Sequence, residues 1–312
     1  MNEPAHQTAR DLIRLCKYDG ASRIVDSELE RCEDQGTSAE VWSLRCSRAD
    51  LTRLRGHTEE ALEYLTAKEK AFPPENDDVP SLIGLKKTCG YCHGMLGKYA
   101  ISDRLLEEAE HLARNAGFLE LLCEVWYCQA WFLYVRANFE PSDRLFREIL
   151  GASEQFGGWY FRAIGLWGIG KNTMMRGHVT GDTTLLKEAL RWFAESHDLF
   201  AAAGRQRFAY GDMAVCHLDL GDDQKSLELL EELLPEYAEA GWVHGYQVTI
   251  ANIGNVYRHR GDYLRAIDYY RNAVECAQEI KDPVSVRKWS YNIRLSYSLL
   301  CQSIEQMRTT TA

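Results

Sequence analysis

Proline is scarce: seven occur in 312 residues, three of them in the single stretch FPPENDDVP, so most of the chain lacks the residue that most reliably breaks a helix. Runs alternating apolar and polar residues are almost missing too, which excludes a sheet as the organising element. There is no stretch of about 18 or more apolar residues, the length a membrane-spanning helix needs. The start, MNEPAHQTARDLIRLC, has no basic segment followed by an apolar run, so it reads as unexported and the expected location is the cytoplasm. Positive charge is in deficit, with 36 Lys and Arg against 46 Asp and Glu and a net charge of -10. That argues against nucleic acid, whose binding relies on a surplus of cations. The ten cysteines are scattered through helix-like patterns, not set between loops, and read as reduced thiols.

What is present is a helical period repeated at long range. Apolar residues recur at i, i+3, i+4 and i+7 along most of the chain, interrupted by short polar turns. RLRGHTEEALEYL, MLGKYAISDRLL, YVRANFEPSDRLF, LDLGDDQKSLELL and RHRGDYLRAIDYY share one pattern: a helix end, Gly or Ala, a polar residue, then a helix with Ala or Ser near its start. The small turn residues are Gly56, Gly97, Ala137, Gly177, Gly221 and Gly261, at intervals of 41, 40, 40, 44 and 40. Seven positions earlier stands a second small residue: Ala49, Gly90, Ala130, Gly170, Ala214 and Gly254, with Ala9 forty positions before Ala49. Gly within a helix costs up to about 1 kcal/mol, so its recurrence implies that a neighbouring helix approaches closely there.

The segment ANIGNVYRHRGDYLRAIDYYRNAVECA, Ala251 to Ala277, resembles a tetratricopeptide repeat: Ile253, Gly254 and Tyr257 on a first helix, Gly261 and Tyr263 at the turn, Ala266, Tyr270 and Ala273 on a second. The spacing of forty is similar to the long variety in kinesin light chains and in sensor arms of bacterial STAND-type regulators. The resemblance implies an all-α, right-handed α-solenoid of about seven helix pairs and a C-terminal capping helix, a single domain over 1–312. Repeats fall at about 2–40, 42–80, 83–120, 123–160, 163–205, 207–245 and 247–283, and the cap at 284–308. HVTGDTT, following Gly177, is an insertion in the fifth repeat.

Two motifs suggest other chemistry. Cys89-x-x-Cys92-His93 has the spacing of a c-type haem attachment, or of part of a metal site with Cys123 or Cys128 as the neighbour to test. The period places it inside a first helix, where Cys89 and Cys92 serve as packing residues. GLWGIGKNT, Gly165 to Thr173, nearly matches a phosphate-binding loop but has Asn172 where Ser or Thr would hold magnesium, again inside an expected helix. No catalytic constellation stands out. The chain reads as a binding protein, not an enzyme, with no cofactor or metal.

In tetratricopeptide families the first helices line a concave face. If the small residues mark the buried side, the residues three before, one after and four after each of them project into that groove. These are Lys87, Tyr91 and Gly94; Tyr127, Trp131 and Tyr134; Trp167, Lys171 and Met174; Gly211, Val215 and Leu218; Ala251, Asn255 and Arg258. On the fourth first helix a core stripe of Trp126, Ala130 and Leu133 is already present, so the Tyr127–Trp131–Tyr134 stripe means either double-sided burial or a groove lined with anchors; the groove is the reading taken. Lys87, Lys171 and Arg258 are solvated charges or, if they converge, receivers of a carboxylate-bearing ligand. Asn252, Asn255 and Arg258 resemble the Asn and Arg ladder with which related long-repeat domains hold a peptide backbone; the other repeats carry Ser47, Thr88, Cys128, Gly168 and Asp212 at that place. The expected role is a scaffold or regulatory subunit binding a partner peptide or helix, acidic if those cations act together. The alternatives are a sensor arm of a larger effector (a STAND ATPase, a caspase-like protease or a nucleotide cyclase) and a haem or metal protein. A homodimer is left open.

Overall fold

The computed structural model describes residues 4–32, 39–205 and 207–310. Among them the chain forms fifteen α-helices and no strand: α1 (Ala5–Arg14), α2 (Tyr18–Cys32), α3 (Ala39–Leu54), α4 (Thr58–Ala71), α5 (Val79–Met95), α6 (Tyr99–Ala116), α7 (Leu119–Val135), α8 (Phe139–Phe156), α9 (Trp159–Thr180), α10 (Thr183–Ala202), α11 (Tyr210–Asp219), α12 (Asp223–Glu239), α13 (Val243–His259), α14 (Tyr263–Glu279) and α15 (Pro283–Thr310). Helices α1 to α14 pair as seven hairpins, and α15 packs on α14. This is an α-solenoid.

The recurring small residues are where the two helices of a hairpin touch. A Cβ added at Gly90 would lie 3.1 Å from Leu106, one at Gly170 2.8 Å from the Phe193 ring, and one at Gly254 2.9 Å from the Tyr270 ring. Ala9, Ala49, Ala130 and Ala214 have no exposed surface. The Ala or Ser early in the second helix faces this contact: Ala61, Ser102, Ser142, Ser226 and Ala266 are all buried, and the Ser142 hydroxyl donates to the Ala130 carbonyl at 2.9 Å.

Left-handed residues close the hairpins. Cys16, Gly56, Gly97, Ala137, Gly221 and Gly261 all have positive φ, as the turn pattern requires. Gly177 does not, and here the sequence expectation is corrected. α9 runs on through His178 to Thr180, and the left-handed turn residue is Gly181, φ 69°. Part of the insertion is helix, so α9 has 22 residues where α5, α7 and α13 have 17. α10 is long as well, with 20 residues.

The chain divides into two compact units, residues 1–208 and 209–312. In the first, α1, α3, α5, α7 and α9 contact one another in order, and two apolar clusters fill the spaces between the helices. In the second, one cluster joins α11, α12 and α13, and another joins α13, α14 and Trp289 of α15, while Val284, Tyr291, Tyr297 and Met307 of α15 are exposed.

Candidate functional site

In the first unit the flank of α7 next to Ala130, turned from it by about 40–100°, carries Tyr127, Trp131 and Tyr134, all partly buried. Trp131 stacks on Tyr134, with centroids 5.7 Å apart and planes at 26°, and on Trp167 of α9, at 6.0 Å and 16°. The Lys171 ammonium lies 5.0 Å from the Tyr134 ring and 5.6 Å from the Trp167 ring. The structure thus brings four sequence-predicted residues from two helices into one aromatic surface with a cation at its edge. Tyr91 of α5 packs on Phe132 at 5.1 Å, and the Arg53 guanidinium covers its ring at 4.3 Å. Burial pushes the Tyr91 hydroxyl up to about 12 and that of Tyr127 well above its ordinary value, so both stay neutral.

Toward the N-terminal ends of the same helices the surface becomes ionic. The Lys87 ammonium donates to Glu124 Oε2 at 2.6 Å, and Arg10 and Arg14 of α1 approach Oε1 at 3.4 and 3.5 Å. Burial alone would raise the Glu124 carboxyl, but Lys87, Arg10 and Arg14 outweigh it and hold the group at about 2. Burial likewise opposes the charge on Lys87, and Glu124 and Asp50 override it, so the ammonium titrates above its usual range. Arg14 also reaches Glu120 at 3.2 Å and lies 4.4 Å over the Tyr160 ring of α9. These contacts show that the first-helix layer curls until α1 faces α7 and α9.

Sequence reasoning missed most of this cluster. Applying the same offsets to Ala9 and Ala49 yields Arg10, Asp50 and Arg53; Glu124, Arg14 and Tyr160 fall outside the offsets, and no short-range pattern marks them. Three residues counted toward the groove are packed instead. A Cβ at Gly94 would overlap the Phe132 ring, Met174 is buried, and Ala251 is buried under α14.

Asn252, Asn255 and Arg258 belong to the second unit. The Tyr270 hydroxyl donates to Asn255 Oδ1 at 2.7 Å, and Asn255 Nδ2 donates to Asn252 Oδ1 at 3.3 Å. The Asn255 amide is therefore engaged on both sides by its own unit.

Both decoy motifs are helical. Cys89 and Cys92 lie in α5 and pack with Cys46 of α3; burial pushes Cys46 up to about 11 and Cys92 to about 12, which keeps these thiols neutral. In α9 a Cβ at Gly165 would press on the Leu150 backbone and one at Gly168 on the Phe146 ring, so these glycines let α8 approach. Buried Asn172 donates to the Ser142 hydroxyl at 3.0 Å.

Residues 249–283 match the tetratricopeptide repeat family. No curated protein matches the chain in sequence. Among solved structures it is similar to a Rap protein complexed with competence and sporulation factor, with 16% identity and a TM-score of 0.58 over 96% of this chain and 85% of that one. It is also similar to NprR in complex with its cognate peptide NprX, with 14% identity and a TM-score of 0.55 over 95% and 85%. A third is a STAND protein with a tetratricopeptide repeat sensor from Pyrococcus horikoshii, with 13% identity and a TM-score of 0.52; all of this chain aligns, and it spans about half of that protein, 48%. The fold is that of the tetratricopeptide-repeat solenoids.

Proposed function

We propose that the chain is a non-enzymatic interaction module that holds a peptide or helix of a partner against the inward face of its first unit. The observation that carries this reading is the Trp131–Tyr134–Trp167–Lys171 surface. Trp and Tyr are among the residue types that anchor protein partners, and Lys171 beside them adds a cation at the edge. The structures of Rap with competence and sporulation factor and of NprR with NprX, similar in fold, each include a bound peptide or factor. The test uses peptides selected from a random display library on the wild-type protein. Trp131→Ala with Lys171→Glu should weaken their binding at least about tenfold. Because Trp131 stacks on two rings, the same variant should lose only about 1–2 kcal/mol of stability. Unchanged binding, or wholesale unfolding, refutes the reading.

A second reading, a sensor arm acting with a larger effector, is favoured by the similarity to the STAND protein's sensor-bearing chain. In that case the chain should co-purify with an effector ATPase, protease or cyclase from its source cells, and the Trp131 and Lys171 variant should alter the effector's response, not its basal activity.

A further inference from the structure

The reading above leaves the chemistry of the occupant open, and the ionic end of the inward face narrows it. Three cationic side chains from two helices, Arg10 and Arg14 of α1 and Lys87 of α5, converge on one carboxylate, Glu124 of α7. Arg53 of α3, paired with Asp50 at 3.1 Å, belongs to the same inner set. The four cations keep between 11% and 24% of their side-chain surface, and so remain reachable at the bottom of the groove. Among the described residues, Asp50 and Glu124 answer them from inside, while Asp11 and Glu120, which also touch Arg14, are 41% and 47% exposed and sit at the rim. A protein with a net charge of -10 has thus gathered a local surplus of cations on one concave face.

Donor capacity points the same way. Each guanidinium offers five N–H donors and the ammonium three; besides Glu124, Arg10 donates to Ser43 Oγ at 3.1 Å and Arg14 to Asp11 and Glu120 at 3.1 and 3.2 Å, which shows that these side chains serve several acceptors at once. The ionic and aromatic ends also share one line. Glu124, Tyr127, Trp131 and Tyr134 follow each other along α7 at helical spacing, and Lys87 stands one turn before Tyr91 on α5. From Glu124 to Trp131 is seven residues, about 10 Å along a helix axis, which an extended peptide covers in about three residues.

We propose that Arg10, Arg14 and Lys87 receive a carboxylate of an acidic peptide segment, which takes the place that Glu124 fills in the empty protein, while a large apolar side chain about three positions away rests on Trp131 and Trp167. The proposal rests on the groove reading given above. Glu124 acts as an internal stand-in: it keeps the cations paired until a ligand carboxylate competes for them. Binding is then an exchange of ion pairs, and it weakens as salt is added.

The experiment is selection of random decapeptides displayed on phage against the wild-type chain, followed by affinity measurements on the selected sequences. The selected peptides should carry a surplus of Asp and Glu placed two to four positions from a Trp, Phe or Leu. Their Asn and Gln versions should bind at least about tenfold more weakly. Glu124→Gln, which keeps the size of the side chain and removes the competing charge, should bind the acidic peptides several-fold more tightly; Lys87→Gln should bind them more weakly. No acidic surplus, amide versions that bind equally well, or a folded Glu124→Gln protein with unchanged affinity overturns the proposal. Should either variant fail to fold, the amide peptides on the wild-type protein decide. If no peptide is enriched, or if enriched peptides bind the Trp131→Ala, Lys171→Glu variant undiminished, the groove reading itself falls and this inference with it. Peptides that need Trp131 but not their carboxylates sink the inference alone.

Discussion

At the scale of single residues, the helix-contact glycines and the ion cluster make opposite demands on substitution. Gly254→Leu places a branched side chain where even a Cβ would be 2.9 Å from Tyr270, and should cost about 1–3 kcal/mol in urea unfolding. Gly151, on the exposed side of α8, has nothing within 4 Å of an added Cβ, so Gly151→Ala should stabilise by about 0.5–1 kcal/mol. An unchanged midpoint in both would remove the contact assignment. Glu124 has a folded value of about 2, below its ordinary value of 4.5. A depressed acid contributes stability that is complete above the unfolded value and disappears as pH falls toward the folded one. Wild type should therefore exceed Glu124→Gln by up to about 3 kcal/mol at neutral pH, and the gap should close between about pH 4.5 and 2. A gap independent of pH would show that Glu124 acts through shape alone. The glycines were legible in the sequence because their cause repeats every forty residues. The ion cluster was mostly hidden, because Arg14 and Glu124 are 110 positions apart in the chain and each looks like an ordinary solvated charge.

At the scale of elements, the aromatic surface was legible because it follows from register: once Ala130 and Gly170 are fixed as buried, the adjoining flanks of α7 and α9 are fixed too. Stacking of Trp131 on Trp167 needed only that α7 and α9 be neighbours. What register leaves unspecified is the other side of each candidate. Gly94 and Met174 have the right offsets, yet α7 and the packing of α9 enclose them. The insertion in the fifth repeat was visible as a number but not as a structure, because HVTGDTT is polar enough for a loop and a helix of 22 residues absorbs part of it equally well. Asp182 then accepts the Thr184 amide at 2.8 Å and starts α10, the role that Asp222 and Asp262 play for α12 and α14. Asp182→Ala should accordingly cost about 1 kcal/mol of stability in urea unfolding, and a loss no larger than that of an exposed mid-helix substitution would deny it the capping role.

At the scale of the whole molecule, each unit holds its own buried clusters, with Phe200 and Trp126 in the first and Tyr270 and Trp289 in the second. Residues 209–312 expressed alone should give a helical circular dichroism spectrum and a cooperative melt; a non-cooperative slope would show that the fragment draws its order from the rest of the chain. The left-handed residues also act as a clock. Those that follow a helix end, with Ala209 before α11 left aside, come every 20 residues from Gly97 through Gly117, Ala137 and Gly157, then at 24 (Gly181), 23 (Gly204) and 17 (Gly221), and again every 20 to Gly241, Gly261 and Lys281. Each residue added to a helix turns its far end by about 100°, and the two long intervals together add seven residues to the hairpin, about 700° or nearly two whole turns. An arm of such an array therefore lengthens by whole revolutions or not at all: an addition of one or two residues would point its buried stripe at water.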